Sequence, residues 1–123
     1  MSTTLLSNLL SAAGPLKPTI AAPKKHMKAL SEYTEGMPVG DEGWTIRVVS
    51  PKEANWPARD TGGHSPLAYS DLGSRVTKLR VDAMSQPPDV IRRALAHELG
   101  HITLQTTDES KANRWADTFL KGM

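Results

Sequence analysis

Residues 97–101 read His-Glu-Leu-Gly-His. In a helix, residues four apart stand one above the other on the same face. Two imidazoles at that spacing can reach one metal ion at about 2.0–2.1 Å. Glu98 sits about 100° further round the helix, too far to be an ideal third ligand. It falls instead beside the coordination position that a catalytic site keeps open for water. Zinc lowers the pKa of such a water to about 7, and a neighbouring carboxylate can take its proton. The chemistry expected of this pattern is metal-assisted hydrolysis, with His97 and His101 as ligands and Glu98 as general base. The plainer alternative is a helix that carries two histidines on a partly exposed face. A helix preceded by a strand, the setting a zinc peptidase needs, favours the metal.

A third protein ligand is required if one position is to stay open. The metzincin continuation would place a glycine and a histidine three and six residues past His101. Leu104 and Thr107 stand there, which excludes that class. No cysteine occurs, so thiolate ligands, thiol nucleophiles and disulfides are excluded as well. The third ligand must come from a carboxylate further on, and Glu109 and Asp117 are the main candidates, ahead of Asp108. Glu109 shares a stripe with Ala112, Ala116 and Phe119, at spacings of three, four and three. Thr106-x-x-Glu109 also fits a capping box, in which the glutamate would only satisfy a helix start. Asp117 lies one position off the Ala112–Ala116 line, which suits an outer hydrogen-bond acceptor or a surface residue.

The elements that must position these groups are legible from pattern. Pro87 and Pro88 open a helix that runs to about Leu104, with Asp89 complementing its first turn. A last helix starts between Thr106 and Glu109 and ends near Gly122, with Ala112, Trp115, Ala116, Phe119 and Leu120 as its apolar face. Strands are expected at 44–49, 67–70 and 75–81, with a long loop over 50–65 and a turn at 71–73. Residues 4–13 and 24–36 have helical spacing, and the proline-rich stretch 14–24 between them reads as a linker. The expected fold class is α+β: an N-terminal helix, a small three-stranded antiparallel sheet, the metal-binding helix and a following ligand-bearing helix. Residues 1–40 are read as an N-terminal segment, helical or partly disordered, and 41–123 as the catalytic domain.

The chain has 123 residues and a formal net charge of +2. Four lysines against two glutamates lie in residues 1–40, and the remainder is balanced. That is a weak footprint for nucleic acid, so no direct nucleic-acid partner is expected. No apolar run approaches a membrane span, and the leucines near the start follow no basic residue, so no secretory signal is read. An intracellular, cytoplasmic location is the expectation.

His97-Glu-Leu-Gly-His101 followed by Glu109-Ser-Lys-Ala112-Asn113-Arg-Trp115-Ala116 resembles the ImmA/IrrE family of metallo-endopeptidases. Their pattern is a HELGH-like helix, a short connection, then E-x-x-A-N-x-(aromatic)-A. The resemblance covers about residues 44–120, and its specific part is 89–120. It implies a minimal zincin fold, zinc held by His97, His101 and Glu109 (manganese would suit the same donors), and Glu98 as the catalytic residue. It also implies a protein substrate, a DNA-binding repressor of the helix-turn-helix kind, as in phage, mobile-element or stress regulation. The accessory candidates are His64, Tyr69, Asn113 and Asp117. His64 from its loop, or Tyr69 from the sheet edge, could stabilise an oxyanion, although a surface position and simple packing are the plainer roles. Trp44 is expected to pack, Trp56 to pack or line a groove, and His26 to be solvated. Arg75, Lys78 and Arg80 would lie near substrate if an extended peptide added to the sheet edge, and the wet face of a half-buried strand is at least as good a reading of them. The alternative function is a non-catalytic zincin-fold module that sequesters a regulatory partner. Intact Glu98 argues against it, because a pure binder has no use for the base.

Overall fold

The computed structural model describes residues 17–53 and 67–122. The expected helix at 4–13, His64 and Trp56 lie outside the described residues. The fold class is α+β. In chain order the elements are β1 (Thr19–Ala21), α1 (Lys24–Tyr33), β2 (Thr45–Val49), β3 (Ala68–Asp71), β4 (Val76–Arg80), a 3-10 helix (Val81–Ser85), α2 (Pro88–Leu104) and α3 (Glu109–Lys121). Among the described residues, no helix is long and apolar enough to cross a membrane.

The sheet corrects the expectation of three antiparallel strands. It has four strands in the order β1-β2-β4-β3 and is mixed. β1 pairs with β2, and β2 with β4, in parallel, while β3 pairs with β4 antiparallel. Parallel neighbours need a crossover between them. α1 and its flanking loops supply the one from β1 to β2. β1 escaped the sequence reading because its three residues lie within a run bracketed by Pro18 and Pro23, which reads as linker. A short edge strand tolerates such neighbours, since its outer side needs no ladder donors. β3 and β4 form a hairpin whose turn is closed by Asp71. Its Oδ1 accepts from the Ser74 N–H at 3.0 Å, and Arg75 adopts φ 59°.

Alternation in the strands sends Ile46, Thr77, Leu79 and Ala68 to one face, where they are buried. α2 lies against that face through Ile91, Leu95 and Ile102, spaced four and seven residues apart, each at most 1% exposed. Leu30 from α1 and Met37, Val39 and Trp44 from the segment before β2 complete the same core. Residues on both sides of position 40 therefore share one sheet and one core. Full burial of each Leu or Ile side chain contributes about 1.5–3 kcal/mol.

Of the three basic residues, two lie on the wet face of a half-buried strand. Lys78 and Arg80 are on β4, which is flanked on both sides, and they point away from the core. Arg80 pairs with Asp82. Arg75 precedes β4 and turns inward to donate to the Gly43 carbonyl at 2.8 Å, with Glu42 beside it.

The shared core has a measurable consequence. Leu30→Ala should destabilise the whole chain by roughly 2–5 kcal/mol, in a single denaturant transition followed by circular dichroism. A midpoint that did not move would mean that α1 is energetically separate from the sheet.

Candidate metal centre

α2 and α3 form an antiparallel pair joined by four residues. Proline at N1 starts α2. It stops at Gln105, whose left-handed φ of 50° reverses the chain. That reversal returns the Thr106 N–H to the His101 carbonyl at 3.1 Å. It also aims the Thr106 carbonyl at His101 Nδ1, 2.7 Å away. α3 is then capped by Asp108, whose Oδ1 accepts from the Ser110 and Lys111 N–H groups at 2.9 and 3.1 Å. The cap is thus Asp108 and not Glu109. Released from capping, the Glu109 carboxylate reaches across to α2.

It meets both imidazoles there. Glu109 Oε1 lies 2.7 Å from His97 Nε2 and 3.2 Å from His101 Nε2, and the two Nε2 atoms are 3.1 Å apart. The far nitrogens are engaged elsewhere. His97 Nδ1 faces Asn113 Oδ1 at 2.7 Å, and His101 Nδ1 faces the Thr106 carbonyl. Both partners are acceptors, so each Nδ1 carries a hydrogen, and in the neutral, metal-binding form of the ring that hydrogen is the only one. Each Nε2 then presents a lone pair. Two bare nitrogens and an anionic oxygen converge on one point with no donor among them. Such a set is mutually repulsive until a cation occupies the centre. Tetrahedral ligands of zinc at about 2.0–2.1 Å lie roughly 3.3 Å apart, close to the spacing of these three atoms. The donor set fits zinc.

Glu98 also brings an oxygen within 4.8 Å of both imidazoles. It belongs to a different face of α2. Ile91, Leu95, Glu98 and Ile102 are spaced four, three and four, so Glu98 lies on the stripe that packs against the sheet and is only 9% exposed. Its Oε1 accepts from Ser70 Oγ of β3 at 2.6 Å. Burial raises the Glu98 pKa, against the opposing pull of the Ser70 hydrogen bond and of His101 and His97. Glu109 ends on the other side of its usual value. Partial burial pushes it up, but with protons on the imidazoles in place of a metal, the His97 hydrogen bond and the charges of His101 and His97 outweigh that and lower it.

The remaining candidates divide clearly. Asn113 holds His97, as an outer partner that fixes a ligand's tautomer does. Asp117 is not at the centre. It pairs with Arg93 one helical turn along, and that bond holds its carboxyl below the usual range. Tyr69 is 41% exposed and sits beside Ser70, so alternation sends it to the opposite face of the sheet from Glu98, near Lys78 and Arg47. An oxyanion role for Tyr69 does not fit that placement. His26 is half-buried in α1, on an element that does not carry the centre.

Ser70, Thr77 and Thr106 escaped the sequence reading. Ser70 and Thr77 are polar residues at inward positions of otherwise apolar strands, and that mismatch is a signal that could have found them. The Thr106 carbonyl leaves no trace in side-chain type. Gly100 is a structural requirement of the same pair of helices. A Cβ there would sit 3.1 Å from the Ala112 carbonyl oxygen and 3.2 Å from Trp115 Cβ.

The chain matches no protein-family model, no curated protein and no solved structure.

Two carboxylates and Asn113 have separable expected effects on zinc. The wild-type chain should hold one zinc, read by elemental analysis and competition with a chromophoric chelator. Glu109→Ala should lose it, Asp117→Ala should keep it, and Asn113→Ala should weaken it about 10- to 100-fold. Zinc retained by Glu109→Ala at wild-type affinity would remove Glu109 from the ligand set.

Proposed function

We propose that this chain is a zinc-dependent endopeptidase of minimal zincin layout. It hydrolyses a peptide bond in a specific partner protein. The observation that carries this is the position of Glu98, which stands within 4.8 Å of the imidazole donors while the Glu109 carboxylate also contacts both imidazoles. A site built only to hold metal would gain nothing from a second carboxylate, buried and made more basic, beside its ligands.

His97, His101 and Glu109 would hold the ion, and manganese fits the same two-imidazole, one-carboxylate set. Zinc, when bound, supplies Lewis acidity toward a water and toward the scissile carbonyl. The chain supplies the proton traffic. Glu98 accepts one proton as water oxygen attacks the carbonyl carbon. It then delivers that proton to the amine nitrogen as the C–N bond breaks. Its burial suits both halves, because desolvation disfavours the charged form and so favours holding the proton between steps.

Among the described residues β3 is the last strand on its side of the sheet, and Ser70 ties it to Glu98. An extended peptide added along β3 would therefore be laid past the base. This replaces the basic residues of β4 as the substrate-facing edge. The resemblance of residues 89–120 to the ImmA/IrrE metallo-endopeptidases supports a helix-turn-helix repressor as the partner and the cytoplasm as the setting. That substrate class rests on the resemblance alone.

Glu98→Gln keeps the shape of the side chain and removes its basicity. With zinc present, it should abolish cleavage of a helix-turn-helix repressor encoded beside this chain, read as loss of product bands on a gel. Zinc content should be unchanged. Cleavage by Glu98→Gln at the wild-type rate would remove Glu98 from the mechanism.

A further inference from the structure

Behind Glu98 the structure holds a line of hydrogen bonds whose direction is fixed at its carboxylate end. Trp44 Nε1 is 2.8 Å from Thr77 Oγ1, Thr77 Oγ1 is 2.7 Å from Ser70 Oγ, and Ser70 Oγ is 2.6 Å from Glu98 Oε1. An indole nitrogen can only donate, so Thr77 accepts from Trp44. Ser70 has one hydroxyl hydrogen and gives it to Glu98. The bond between the two hydroxyls therefore runs from Thr77 to Ser70. Every donor in the line points toward the carboxylate. Trp44 is 2% exposed and Thr77 is fully buried, so bulk water does not replace these partners. The three residues come from three separate places: the approach to β2, the centre of β4, and β3.

We propose that Ser70 is the positioning residue for Glu98, with Thr77 and Trp44 backing its hydroxyl. The proposal rests on the peptidase reading above. Ser70 occupies Oε1 and sets the rotamer of the carboxylate, which leaves Oε2 as the oxygen that meets the attacking water. Ser70 itself does not touch the reacting atoms. Hydroxyls in such a line polarise one another, and a bond to an ionised acceptor is the stronger kind. The charge on Glu98 should therefore be felt at the Trp44 indole, two hydroxyl groups away.

That coupling gives a test that needs no substrate. In the full zinc-loaded chain, the Trp44 indole proton is followed by ¹H–¹⁵N correlation and assigned with Trp44→Phe. Glu98→Gln should move it upfield. In a Ser70→Ala background, the same replacement should leave it in place. An indole signal that ignored Glu98→Gln, or that moved equally in both backgrounds, would overturn the proposal. The kinetic arm uses the repressor cleaved in the preceding assay. Ser70→Ala should lower kcat about 10- to 100-fold with KM and zinc content unchanged, and Ser70→Thr, which keeps the hydroxyl, should restore most of the rate. A change confined to KM would make Ser70 a substrate contact instead and overturn its positioning role. A wild-type chain that cuts no repressor would overturn the peptidase reading and the role of Ser70 in it. The Trp44 signal would still report whether the line of hydrogen bonds exists, so the two failures are distinguishable.

Discussion

The contact between α2 and α3 at Gly100 is the constraint on which the centre depends. A Cβ at position 100 would stand 3.1 Å from the Ala112 carbonyl oxygen and 3.3 Å from the Trp115 ring, tighter than ordinary contact. That closeness sets the distance between the helices, and the distance decides whether a glutamate at the start of α3 can touch imidazoles on α2. Along the pair, Arg93 meets Asp117, His97 meets Asn113, and His101 meets Glu109. Each step is one helical turn, so a single antiparallel register places all three contacts. Buried Ala112 and Ala116 serve the same end, since larger side chains would push the helices apart.

The second constraint is the burial of Glu98. A carboxylate on the apolar stripe of a helix has a high desolvation cost unless donors meet it. The sheet supplies that donor from Ser70, itself backed by Thr77 and Trp44. The residues that look like defects in the strands' apolar alternation therefore compensate for the one that looks like a defect in the helix. Replacing any one of them alone leaves buried polar atoms without partners, which ties the fold of the sheet to the state of the base.

Much of this was legible in the sequence because it is local. Proline at the start of α2, the four-residue spacing of the histidines and the apolar stripe of α3 are properties of short windows, and the two helices fall where those windows put them. The stripe shared by Glu109, Ala112 and Ala116 pointed to the glutamate that the structure brings onto the imidazoles. What failed was non-local. Strand direction depends on how the chain crosses between strands, and three residues among prolines carry no sign that they will join β2. The placement of Tyr69 turns on register. Shifting a strand by one residue exchanges its faces, and no pattern in four residues fixes that choice. The capping-box alternative for Glu109, the plainer of its two readings, falls away because Asp108 is the cap.

The two glutamates of the centre show how position alone divides labour between identical side chains. Glu109 is at the first turn of α3, largely open to water, and faces two imidazoles; the net effect lowers its pKa. It therefore stays ionised as the conditions become more acidic, which is what a metal ligand requires. Glu98 is one residue from His97 but on the face that meets the sheet, and burial raises its pKa. It holds a proton more readily, as the proposed role of general base and later acid would require. Environments that drive two like groups apart in this way mark acid–base assignments in hydrolytic sites generally. Exchanging the roles would demand that a buried carboxylate give up its Ser70 donor to bind metal, while an exposed one became basic without desolvation. Neither change is compatible with the packing of α2 between the sheet and α3.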